Sequence, residues 1–142
     1  MLEILKHAHS GFRWIVLLLL IITIISAFSK RKSGVAMKSE DKKLPLFTLI
    51  ATHIQLILGL VLYFISPYVV FAADTMKDSL RRFYTVEHIA LMIVAIVLIT
   101  IGYSKAKKAE SWKPVFTYYL IGLILILISI PWPFRNLGAG WF

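Results

Sequence analysis

Residues 44–66 read LPLFTLIATHIQLILGLVLYFIS and contain no Asp, Glu, Lys or Arg. As a helix rising about 1.5 Å per residue, this stretch reaches roughly 35 Å. That exceeds the hydrocarbon core of a bilayer, about 30 Å. A water-soluble core has no use for an uncharged run of this length, whereas a membrane requires one. Lys42 and Lys43 precede the run, and Pro67 follows it as a natural terminator.

Working outward, three more segments have the same character. Trp14–Ser29 is uncharged, and its helix is expected to begin further back, near His9. Residues 83–104 carry only Glu87 among acidic and basic types. The last segment starts at Pro114, which suits a first turn, and is ended by Pro131 and Pro133. The expected spans are about 9–29, 44–66, 83–104 and 114–131. Helices are expected because isolated strands cannot satisfy their backbone groups in lipid. The fold expectation is all-α: one domain over residues 1–142, an integral membrane four-helix bundle.

Composition agrees. Hydrophobic residues make up 59% and charged residues 16%, against about 25% charged in soluble domains. The formal net charge is +9, which in a soluble protein points first to nucleic acid. Here the basic residues flank apolar segments, so they speak for orientation instead, and no nucleic-acid partner is expected. Ten of the sixteen Lys and Arg lie in the stretches 30–43 and 105–113. The positive-inside rule puts both stretches in the cytoplasm. Both termini and the Pro67–Arg82 loop then face the periplasm, and the expected location is the bacterial inner membrane.

The first span is expected to be retained. Its positive charge follows the apolar run, and no A-x-A site comes after it. Trp132, Phe134, Trp141 and Phe142 suit the outer interface. The stretch Ala72–Arg82 is expected to form a short interfacial helix with Met76 and Leu80 on one side. There is no cysteine. That excludes disulfides, Cys-held iron–sulfur clusters and covalent haem c.

Ionisable side chains inside spans are functional candidates by default. All four histidines, His7, His9, His53 and His88, lie in or beside spans. Counting helical rise from the cytoplasmic ends, His9 stands at roughly 30 Å, His88 at roughly 24 Å and His53 at roughly 14 Å. His9 and His88 are therefore the better-matched pair for one metal, with His53 and His88 as the alternative. His7 points about 200° away from His9 and reads as interfacial. Single histidines also have structural uses: His53 can bond Thr52, Gln55 or another helix, and His88 can be held by Glu87 or Tyr84. Glu87 reads as reaching outer headgroups. Gly59 and Gly102 read as helix-packing positions. Arg13, Arg81 and Arg82 read as snorkelling residues, although they also have the chemistry to pair with carboxylates.

Five stretches carry a family resemblance: HAHSGFRW at 7–14, FTLIATHIQLILGLVLYFISP at 47–67, RFYTVEHIALM at 82–92, TIGYSKAKKA at 100–109 and LIGLILILISIPWPF at 120–134. In these the chain resembles short, four-span proteins of Bacteroidetes-type bacteria commonly labelled cytochrome B. The resemblance covers nearly the whole chain. It implies non-covalent haem b with His9, His53 and His88 as candidate ligands, His9 and His88 being the axial pair favoured by depth.

Three functions compete. The first is a haem-b electron carrier or redox subunit, working between membrane quinol and a respiratory partner. The second is a non-catalytic accessory or assembly subunit of a larger membrane complex, in homo- or hetero-oligomeric contact. The third is a metal or proton pathway through His9, His53, His88 and Glu87, for which few polar residues continue below His53. H-E-x-x-H, phosphate-loop and G-x-S-x-G signatures are absent. A stand-alone enzyme is not expected.

Overall fold

Proline punctuates the apolar runs at both ends. Pro45 and Pro114 fall in first helical turns, where a missing N–H loses nothing. Pro67 and Pro131 stand just beyond the points where helices stop. In the computed structural model, which describes residues 1–142, four helices fill these runs: α1 (Leu2–Lys30), α2 (Lys43–Ile65), α3 (Ser79–Ala109) and α4 (Lys113–Ser129). There is no strand. The helices α1, α2 and α3 are long and apolar enough to cross a membrane, and α4 is shorter, at 17 residues.

The boundaries differ from the sequence expectation in instructive ways. α1 starts at Leu2, so His7 and His9 both lie well inside it. α3 starts at Ser79 because the Asp78 carboxylate accepts the N–H groups of Leu80 and Arg81, capping the helix. The expected interfacial helix over Ala72–Arg82 is therefore divided. Thr75–Lys77 forms one 3-10 turn, and Ser79–Arg82 becomes the first turn of α3.

Each helix packs on its successor, and α1 closes the ring against α4. The helices α1 and α3 consequently face each other across a diagonal. The contact of α3 with α4 is the tightest. A Cβ added at Gly102 would stand 2.5 Å from the Tyr118 Cβ, and one at Gly122 would stand 2.8 Å from the Ile99 Cγ1. Glycine thus lets these backbones approach, as small residues do between membrane helices. Buried hydroxyls tie other pairs. Thr23 and Thr48 meet at 2.7 Å between α1 and α2, and the Tyr119 hydroxyl donates to the Pro45 carbonyl at 2.8 Å.

The outside is as apolar as the inside. In the most apolar 18-residue window of α2 only 17% of residues are buried. Ile50, Ile57 and Phe64 of α2, like Leu18 and Ile25 of α1, are exposed.

Gly122→Val tests the close approach of α3 and α4. Overpacking costs about 1–3 kcal/mol, so the thermal midpoint of the purified protein is expected to fall by several degrees. An unchanged midpoint would contradict the packing described.

Candidate functional site

The site begins with an irregularity in α3. Residues Phe83–Glu87 form a π-helical turn immediately before His88. Such turns are rare and occur frequently at functional sites. Its backbone is supported from outside the helix, since the Tyr63 hydroxyl of α2 donates to the Thr85 carbonyl at 2.8 Å. His88 follows directly and projects into the bundle, where its Nδ1 lies 2.8 Å from the Ser129 carbonyl at the end of α4. A carbonyl only accepts, so Nδ1 carries the proton and Nε2 keeps its lone pair. The Ser129 hydroxyl bonds the His88 carbonyl at 3.2 Å and fastens the same corner. A histidine that ligates a metal is usually oriented in this way, with its other nitrogen donating to a carbonyl or carboxylate. Nε2 of His88 makes no hydrogen bond.

His9 approaches from the diagonal helix α1. Its ring lies against Gly59 of α2, where an added Cβ would stand 3.0 Å from Cε1. Gln55, one turn earlier on α2, donates to the His9 carbonyl at 2.8 Å. Nδ1 of the His9 ring is buried without a hydrogen-bond partner at normal distance. The rings of His9 and His88 have centroids 6.3 Å apart and planes at 82°.

That separation carries a chemical meaning. A metal-bound imidazole nitrogen stands about 2.0–2.1 Å from its ion, with the ring centre about 1.1 Å farther on, so two imidazoles on opposite sides of one ion have centres about 6.2–6.4 Å apart. An ordinary edge-to-face aromatic pair also falls in this range of distance.

A cavity of about 460 Å³ surrounds the pair. This is within the range of about 300–1,000 Å³ typical of small-molecule and cofactor sites. Val16, Leu56, Leu60, Met92 and Ile126 supply apolar walls. Arg13, one turn after His9, also lines it and is only 7% exposed. Its guanidinium donates to the Trp141 carbonyl and lies 5.2 Å and 5.5 Å from the ring centres of Trp14 and Trp132. Its Nε is buried without a partner. The tail after α4 thus folds back over the cavity. It is held there by Arg13 and Trp14 on the Trp141 carbonyl and by the Tyr84 hydroxyl on the Leu137 carbonyl.

The other sequence candidates lie elsewhere. His53 does not join the pair: it is exposed on the outer face of α2, with its Nδ1 bonded 2.8 Å from the Leu49 carbonyl of its own helix. It bonds neither Thr52 nor Gln55, since Thr52 donates to the Leu49 carbonyl and Gln55 reaches His9. Glu87 pairs with Arg82 at 2.7 Å and holds neither histidine. Arg81 is paired with Asp74 and Asp78. His7 is exposed at the cavity mouth. Gly59 makes room for the His9 ring, whereas Gly102 serves helix packing. Sequence periodicity gives no sign of the carbonyl of Ser129 or the fold-back of the tail, since both depend on where α4 stops. The proline pair 131 and 133 is the one local clue.

No cluster of three or more His, Asp or Glu is present. His9 and His88 could offer two imidazoles to a ligand in this cavity, with His7 at its mouth. Compared with known proteins, no family model, curated sequence or solved structure matches this chain.

Arg13→Gln is expected to release the tail. A charged hydrogen bond is worth about 1.5–3 kcal/mol, so carboxypeptidase should remove Trp141 and Phe142 at least about tenfold faster, with helical content unchanged. Equal rates would show that Arg13 does not hold the tail.

Proposed function

We propose that this chain crosses a bilayer four times and holds haem b between His9 and His88 as an electron carrier or redox subunit. The bilayer part is supported by apolar faces on both the inside and the outside of the bundle. The inward placement of Thr23, Thr48, Thr52 and Ser129 supports it too, because lipid-facing positions do not suit such groups. The Lys-rich ends of the helices support a cytoplasmic position for the loops 31–42 and 110–112, with the termini and the cavity toward the periplasm.

The observation that carries the haem reading is the His9–His88 pair: two imidazoles from diagonal helices, with ring centres 6.3 Å apart, in the wall of one cavity. A haem held there supplies a one-electron iron couple. The protein's residues do the rest. His88 is fixed in its tautomer by the Ser129 carbonyl. Gly59 gives the His9 ring its space. Arg13 offers an unpartnered N–H beside the pair, suited to a carboxylate on the ligand. The cavity mouth at His7 and Lys6 opens the site toward a membrane quinol or respiratory partner.

A second reading, an accessory subunit of a larger complex, is favoured by one observation. His53 is a polar side chain exposed on an otherwise apolar helix face, a costly position in lipid that a neighbouring subunit would relieve.

The test is the amount of haem retained per chain after gentle purification from haem-replete cells. Loss of second-shell partners alone costs about 10–100-fold in affinity at metal sites. His9→Ala and His88→Ala are therefore expected to lower retention at least that far, while His53→Ala keeps it. Retention unaffected by either of the first two would remove the proposed ligand pair.

A further inference from the structure

The opposite end of the bundle carries a second arrangement that the haem reading does not use. α1 runs out into Lys30, Arg31 and Lys32. The Arg31 guanidinium lies 4.8 Å from the Phe28 ring centre and 4.5 Å from the Phe116 ring centre. It is therefore held between α1 and α4 by rings from both. The Lys32 Nζ lies 5.1 Å from the Phe28 ring on the same patch. Lys30 is already engaged, 3.8 Å from Asp41 and 4.9 Å from the Trp112 ring centre. Arg31 and Lys32 have no acidic partner, and the Arg31 Nε is buried without any hydrogen-bond partner.

We infer that Arg31, with Lys32 beside it, binds the phosphate of an anionic phospholipid whose acyl chain lies on Phe28. This rests on the bilayer part of the proposed function and is independent of haem. The guanidinium is a planar fork of donors matched to phosphate oxygens. Two aromatic rings already restrict its side chain, so less freedom is lost on binding. Phe28 is 48% exposed, which leaves a lipid chain an apolar surface directly below the charge. Arg31 also stands where the uncharged run of α1 ends, at the level of the headgroups. Basic pockets between helices on the cytoplasmic side are suited to acidic headgroups. Inorganic phosphate shares the charge but would make no use of the Phe28 surface.

The experiment places the whole protein in bilayer discs of phosphatidylcholine and phosphatidylglycerol. Spin-labelled forms of each lipid report their relative association with the protein. The wild type is expected to prefer phosphatidylglycerol. R31Q should lower that preference at least about fivefold, since it removes a guanidinium held in place by two rings and not merely one mobile surface charge. F28A should lower it with every charge in place, and K43Q, which removes a charge from an exposed position, should leave it nearly intact. Four outcomes would overturn the inference: no preference in the wild type, equal losses in R31Q and K43Q, no loss in F28A, or displacement of the labelled lipid by inorganic phosphate. Protein stripped from the discs by alkaline wash would instead refute the bilayer reading beneath it.

Discussion

Buried polar groups in this bundle must find partners inside it, and that constraint shapes nearly every feature of the structure. Apolar side chains cover the outer faces as fully as the inner ones, so the contrast between core and surface that organises a soluble protein is missing here. Between helices that are apolar on both faces, close packing and internal hydrogen bonds hold the assembly together. Gly102 and Gly122 let α3 and α4 touch almost backbone to backbone. Thr23 meets Thr48, Tyr119 reaches the Pro45 carbonyl, and Arg135 donates to the carbonyls of Ile128 and Ile130 at the end of α4. Each of these leaves a polar group satisfied in a setting where an orphan is expensive.

Against that background the exceptions stand out. His9 Nδ1, Arg13 Nε and Gln55 Oε1 are buried without partners, and all three residues line the same cavity. Of the four buried polar atoms without a partner, these three gather at one cavity, and the fourth, Arg31 Nε, lies at the other end of the bundle. The topology explains the location. α1 and α3 lie across a diagonal, so side chains from the two can meet only through the middle of the bundle. The π turn before His88, the stop of α4 at Ser129 and the missing side chain of Gly59 converge on that middle.

Much of the fold is legible in the sequence, because length without charge is a one-dimensional signal. The runs around 44–66 and 83–104 announce helices, and prolines 45, 67, 114 and 131 announce their ends. The starts of α1 and α3 are less legible. The polar residues before His9 interrupt the apolar run without breaking the helix, and the Asp78 cap is a local hydrogen bond that hydropathy does not register. For the site, depth along the helices is readable, and it matches His9 with His88. Which way a side chain faces is harder to read. His53 sits in a more apolar stretch than the other two, yet it lies on the outer face of α2. The clamp of Arg13 on Trp141 spans 128 residues of sequence and follows only from the tail folding back.

The most direct measurement is the visible absorption spectrum of the detergent-purified wild-type protein, oxidised and then reduced with dithionite. If His9 and His88 share one haem iron, the reduced protein should show a sharp α band and a strong Soret band of six-coordinate, low-spin haem b. A folded protein with a flat spectrum, or one whose haem is five-coordinate and high-spin, would contradict the shared-iron site.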